Sequence, residues 1–210
     1  MTQDNDHLEI EVKFFLENLQ AVRQKLIGSA ILIEPRIFET NLRYEDETHT
    51  LIKAGKLLRL RRDRGCRLTF KSRSRDHKQR QQFKIHHELE VDVSDYDTMN
   101  AILQQIGFQV VQVYEKQRET FALHDALVCL DTMPYGDFLE IEGSENSILK
   151  VVDHLGLIWE ERILDNYLSI FDLLRKKAGL DFKDVTFENF RNHPVHIGPL
   201  LTLLQERNKR

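Results

Sequence analysis

The sequence predicts an α+β fold built on a mostly antiparallel sheet, and three observations carry that reading. Seven segments alternate apolar and polar residues with period two. Four others repeat apolar residues at intervals of three and four, and each of these runs into a glycine.

Residues 8–14, Leu-Glu-Ile-Glu-Val-Lys-Phe, alternate strictly and give the first strand. Leu16, Leu19, Val22 and Leu26 mark the first helix, with Gly28 as its expected stop. Residues 40–44 are a weaker strand candidate, and 57–62 and 67–71 are clear ones. An irregular stretch over 72–82 then leads to a strand at 88–93. Ser94 as N-cap, Asp97 three residues on and Gly107 beyond the end frame a second helix on Met99, Ile102, Leu103 and Ile106. Residues 109–113 are again a weaker strand, followed by 115–121, 127–131 and 138–142. Ile148, Val151, Val152 and Leu155 mark a third helix closed by Gly156. Leu168, Phe171 and Leu174 mark a fourth, from about 166 to 178, closed by Gly179. Residues 181–199 carry aromatic and turn residues with weak periodicity, and Pro199 opens a short terminal helix over 200–204.

With 210 residues, 41% of them hydrophobic, the chain is long enough for one full domain and a short appendage. Thirty Lys and Arg against thirty-four Asp and Glu give a net charge of -4, which recommends neither nucleic acid nor an anionic membrane as partner. No apolar run reaches the roughly 20 residues of a membrane-spanning helix, and the first seven residues do not resemble a signal sequence. A cytoplasmic protein is expected. Cys66 and Cys129 lie far apart without metal-type spacing and read as reduced, structural residues.

The functional signal lies in the second parity of the strands. Glu9, Glu11 and Lys13 share one face of the first strand; Arg59 and Arg61, then Thr69 and Lys71, follow the same rule. Glu88, Glu90 and Asp92, Lys116 and Arg118, and Glu140 and Glu142 repeat it, with Asp131 a lone charge on its strand. Ile10, Val12, Leu58, Leu60, Phe70, Leu89, Val91, Leu139 and Ile141 supply the apolar face. A solvated sheet face with cross-strand ion pairs explains one such strand. Six strands whose second parity is almost purely ionisable point instead to a closed barrel with a charged interior, whose charges a ligand and metal compensate. The basic set suits phosphate oxygens. The carboxylates suit a hard cation, Mg²⁺ or Mn²⁺.

These residues resemble the CYTH domains, or triphosphate tunnel metalloenzymes. The hallmark Glu-x-Glu-x-Lys is present as Glu9, Glu11 and Lys13. Leu58-Arg59-Leu60-Arg61, Leu68-Thr69-Phe70-Lys71, Glu88-Leu89-Glu90, Glu115-Lys116-Gln117-Arg118, Leu130-Asp131 and the stretch from Gly136 to Glu142 continue the likeness in order, covering about residues 8–179. The resemblance implies an eight-stranded antiparallel barrel forming a tunnel with helices outside it, assigned to residues 1–180, and the change in texture after Gly179 makes residues 181–210 a C-terminal helical extension. The resemblance further implies Glu9, Glu11, Glu140 and Glu142 as metal ligands, and Glu90 and Asp131 as catalytic carboxylates at a second metal or the attacking water. Lys13, Arg59, Arg61, Lys71, Lys116 and Arg118 would grip a triphosphate. The expected partner is inorganic tripolyphosphate, ATP or thiamine triphosphate, with a homodimer open. Three readings stand: a metal-dependent triphosphatase, a class IV adenylyl cyclase forming cyclic AMP and pyrophosphate, and a noncatalytic polyphosphate-binding module. The His-Phe pair that precedes the two carboxylates in well-known class IV cyclases is missing from residues 1–8, which weighs against the cyclase.

Other features have plainer readings. The basic run Ser72-Arg73-Ser74-Arg75-Asp76-His77-Lys78-Gln79-Arg80 reads as a solvated loop or an anion guide. Alternation sends His86 and His87 to opposite faces. Tyr167, just after Asp165 and Asn166, reads as a packing residue at a capped helix start. There is no Walker loop, zinc motif or nucleophile elbow, so side chains must recognise phosphate.

Overall fold

The computed structural model describes residues 7–73, 82–195 and 197–207. Among them, eight strands form one sheet: β1 (Leu8–Leu16), β2 (Ile31–Glu45), β3 (Lys56–Arg62), β4 (Cys66–Arg73), β5 (Lys84–Asp92), β6 (Gln109–Leu123), β7 (Ala126–Met133) and β8 (Gly136–Glu142). The sheet closes in the order β1-β5-β4-β3-β2-β6-β7-β8, with every neighbouring pair antiparallel. The α+β class and the closed antiparallel barrel are therefore as expected. Closure gives every strand two neighbours and sends alternate side chains to the inside and the outside.

The outward apolar parity makes two of the cores, and the third also takes Tyr114 and Phe138 from the inward parity that they share with Lys116 and Glu140. Helices α1 (Leu19–Ser29) and α4 (Glu145–Leu155) cover β1, β7 and β8, burying Leu26, Ile148 and Val151 against Val12, Phe14, Val128 and Ile141. Helix α3 (Tyr96–Gln105) puts Leu103 on Tyr44, Leu58 and Leu60. Helix α5 (Tyr167–Ala178) packs with α6 (Phe187–Phe190) and α7 (Gly198–Arg207) through Phe171, Leu174, Phe190 and Leu204, around Phe138 of β8 and Tyr114 of β6. A one-turn helix, α2 (Thr50–Lys53), follows β2. No helix among the described residues is long and apolar enough to cross a membrane.

Several elements differ from the sequence reading. Helix α1 runs through Gly28 to Ser29 and ends where Ala30 turns extended to enter β2; a glycine in a last turn weakens a helix without stopping it. The N-cap of α3 is Asp95, whose carboxylate accepts the Thr98 N–H at 2.7 Å, so Ser94 stands one residue too early. Strand β2 reaches back to Ile31, because the register shifts between Leu32 and Glu34 and between Glu34 and Ile37 absorb Pro35, which has no N–H for the ladder. Segments 109–113 and 115–121 are one strand, β6. Leu89 and Val91 are 45% and 57% exposed, so the outer face of β5 stays uncovered there. In the basic run, Ser72 and Arg73 end β4, and residues 74–80 lie outside the described residues.

The C-terminal residues are stitched to the barrel. Strand β7 pairs with β6 from Gln117 onward, leaving the first half of that β6 edge without a strand neighbour. Residues around Val185 take that place: Val185 N–H donates to the Val113 carbonyl at 2.8 Å, and Glu115 N–H donates to the Val185 carbonyl at 2.9 Å.

Gly136, at the tight β7–β8 connection, has φ +153°, and a Cβ there would come within 2.9 Å of the Phe15 ring. Gly136→Ala is expected to lower stability by roughly 1–3 kcal/mol through strain and the displaced ring. A thermal unfolding midpoint equal to the parent's would refute this.

Candidate active site

The inward parity lines a cavity of about 1370 Å³. All the site residues expected from the sequence lie on its wall except Asp131: Glu9, Glu11, Lys13, Arg59, Arg61, Lys71, Glu90, Lys116, Arg118, Glu140 and Glu142. Most are buried or nearly so, Glu11 at 3%, Lys13 at 2% and Lys116 at 3% exposure. Glu90 is the outlier, with its side chain 30% exposed at the rim and paired with Arg67 at 3.2 Å and Arg59 at 3.7 Å.

The closed ring sorts these charges. Strands β1 and β8 are neighbours, and ring order places them across the barrel from β2 and β3. On the first side, Glu11 stands opposite Glu142 in the ladder, and Glu9, Glu11 and Glu142 bring carboxylate oxygens within 4.8 Å of one another. Burial, and next the charge of Glu11, push Glu9 up to about 7. Burial and Glu140 raise Glu142 well above the usual carboxylate range. Burial would raise Glu11 as well, but Lys13 and Lys84 outweigh it and hold its carboxyl low. Three oxygen-donor side chains that repel one another on a cavity wall fit a hard divalent cation, which would supply the missing positive charge. Glu140 lies beside this group but is occupied by Lys13 at 2.6 Å and Arg118 at 2.7 Å. These two cations outweigh its burial and hold it well below the usual range.

On the opposite side, Arg43 of β2 stands next to Arg59 of β3 in the ladder, and Arg61 follows two residues on. Their carboxylate contacts are sparse: Arg59 reaches Glu90 at 3.7 Å, Arg43 reaches Glu45 at 3.5 Å, and Arg61 reaches Asp63 at 3.0 Å. Among the described residues, the buried Nε atoms of Arg43 and Arg59 have no hydrogen-bond partner. Guanidinium groups with spare donors in a shielded cavity suit phosphate oxygens.

Lys71, on β4 between the two sides in ring order, bonds Glu9 at 2.5 Å and Glu88 at 2.8 Å. Lys84, also paired with Glu11, and the half-buried His86 complete that wall. Burial takes His86 down to about 3, so it stays neutral, while His87 faces outward against His7. Asp131 is fully buried on the inward parity of β7, opposite Arg118 and beneath the cavity-lining side chains. It accepts from Lys116 at 3.1 Å, from Arg118 Nε and Nη2 at 2.7 and 2.5 Å, and from the Tyr167 hydroxyl at 2.7 Å. Tyr167, expected only to pack, also lies under two ammonium groups, Lys13 at 5.1 Å and Lys116 at 5.5 Å from its ring centre. Both cysteines are free thiols.

Sequence reasoning misses Glu39 and Arg43, because the weak strand candidate at 40–44 starts after the first and gives the second no weight. It also misses Lys84 and Tyr114, because it starts β5 four residues late and cuts β6 in two. Arg43 and Glu39 do obey the charged parity once Pro35 is accepted inside a strand.

Known proteins share this architecture. The family model for the CYTH domain matches residues 7–155. No curated protein matches the chain. Among solved structures, the chain is similar to a Vibrio parahaemolyticus protein named as a putative adenylate cyclase (TM-score 0.68, 19% identity, 79% of this chain and 98% of that one). A Pyrococcus horikoshii protein aligns with TM-score 0.63 at 26% identity, over 76% of this chain and 96% of its own. A Hippeastrum protein, named as a putative adenylyl cyclase with a dominant triphosphatase activity, aligns with TM-score 0.55 at 14% identity, over 79% and 95%.

Proposed function

This chain belongs to the CYTH family, and from that premise we propose that it is a divalent-metal-dependent hydrolase of a triphosphate: inorganic tripolyphosphate, a nucleoside triphosphate or thiamine triphosphate. The observation that carries the reading is the facing arrangement, with Glu9, Glu11 and Glu142 on one side of the cavity and Arg43, Arg59 and Arg61 on the other.

Glu9, Glu11 and Glu142 would hold Mg²⁺ or Mn²⁺, with Glu140 at its side, and the bound ion would neutralise phosphate charge and lower the pKa of water. Lys13, Arg59, Arg61, Lys71, Lys116 and Arg118 orient the phosphates by charge-assisted hydrogen bonds. On a shielded wall each of these charge contacts is stronger than it would be in bulk water. Glu90, at the rim where its two oxygens accept from Thr69 at 2.8 Å and Arg67 at 3.2 Å, is the carboxylate assigned to orient an attacking water. Asp131 keeps the Lys116 and Arg118 side chains aimed inward.

A product-resolved assay with Mg²⁺ and with Mn²⁺ tests this. Orthophosphate released from tripolyphosphate, ATP or thiamine triphosphate is the expected outcome. Cyclic AMP and pyrophosphate from ATP would replace the proposal with the cyclase. Binding of all three without turnover would replace it with the binding module.

A further inference from the structure

The cavity is lined by further cations beyond the six expected from the sequence, and Arg43 is the one with a buried spare donor. Arg43 lies on the inner wall of β2 with its side chain 12% exposed, beside Arg59 in the ladder. Its nearest acid is Glu45 at 3.5 Å, and Glu45 is already committed: its two oxygens accept the N–H groups of Leu51 and Ile52 at 3.1 and 2.9 Å. The Arg43 Nε has no hydrogen-bond partner among the described residues. A buried guanidinium with a spare donor costs stability unless a ligand uses it.

Arg43 is aimed by an unusual route. Its Nη1 donates to the Gln112 side-chain oxygen at 3.4 Å, Gln112 being its direct ladder partner on β6. The other end of the Gln112 amide donates to the Lys183 carbonyl at 2.7 Å. Lys183 is held in turn by the pairing of Val185 with Val113 and by Asp184, whose carboxylate accepts the Val113 N–H at 2.9 Å. With its nitrogen satisfied by that carbonyl, the amide presents its oxygen to the guanidinium.

We propose that Arg43 is a seventh phosphate-binding residue and that Gln112, fixed by the C-terminal segment at Lys183, is its positioning residue. The C-terminal residues are then part of the binding site although they line none of its charged wall. This assignment rests on the triphosphate reading and deepens it.

The test is binding of inorganic tripolyphosphate, measured by calorimetry on the full chain with a chelator present so that no turnover occurs. Arg43→Met is expected to weaken binding by roughly tenfold or more, the usual loss for a charged hydrogen bond. Arg43→Lys should recover part of it, since a point charge replaces the fork. Gln112→Met, close in size but unable to orient Arg43, should weaken binding severalfold while the thermal midpoint shows that the fold is kept. The double variant should bind no worse than Arg43→Met alone. Unchanged binding by Arg43→Met, or additive losses in the double variant, would overturn the assignment while leaving the triphosphate reading intact. Failure of the parent protein to bind tripolyphosphate, ATP or thiamine triphosphate, with metal or without it, would remove both.

Discussion

Glu142→Gln is expected to cut triphosphate turnover by about a hundredfold or more and to leave the metal-free protein at least as stable as its parent. A hard cation that loses one of three carboxylate ligands loses several kcal/mol of charge stabilisation in the transition state, at about 1.4 kcal/mol per tenfold in rate. In the absence of the ion, the same carboxylate is a burden. It faces Glu9 and Glu11, and its one basic contact among the described residues is Arg118 at 3.8 Å. A neutral amide of the same shape relieves that repulsion. Glu11→Gln should behave differently, because Glu11 is buried between Lys13 and Lys84: its loss leaves Lys84 without a carboxylate partner among the described residues and Lys13 with Glu140 alone. Removing one partner of a buried pair typically costs about 3–5 kcal/mol. Unfolding in a chelator, alongside phosphate release, separates the two variants. A Glu142→Gln protein that melts well below its parent, or turns over as fast, would contradict the assignment of the cluster.

The contrast shows where sequence reasoning stops. Period two alone places Glu9, Glu11, Glu140 and Glu142 on one face, since alternation is a property of any strand. It does not give the stagger between strands, and the stagger decides which carboxylates meet. Glu11 opposes Glu142 while Lys13 opposes Glu140, so Glu140 becomes a partner of cations and Glu142 a member of the acidic group. Arg43 is hidden for a different reason. Pro35 lies inside β2 and argues against a strand in the residues around it, and only the bulged pairing with β6 makes room for it. The helices are easier to read. Gly156 and Gly179 both take the left-handed conformation that ends α4 and α5, which a side chain disfavours.

Asp131→Asn is expected to destabilise the protein by about 3–5 kcal/mol at neutral pH, more than it disturbs any single catalytic step. The carboxylate binds four donors from Lys116, Arg118 and Tyr167 and sits beneath these cavity-lining side chains. An amide of the same size accepts through one oxygen only and turns an N–H toward one of the two cations. Burial alone would raise the Asp131 carboxyl, but Arg118 and Lys116 outweigh it and hold it below the usual range. The sign follows from which state takes the proton first. The unfolded chain protonates near the ordinary value of about 3.9, and the folded one only at lower pH. The stability contributed by Asp131 is therefore fully present above that value and is lost as pH falls through the folded pKa. Denaturant unfolding of parent and variant should show a constant gap from about pH 5 to 8 that narrows below about pH 4. A variant that keeps full stability and loses turnover would mean that Asp131 reaches the reacting water after all. The catalytic role its sequence suggested would then stand in place of the supporting one that its four donors favour.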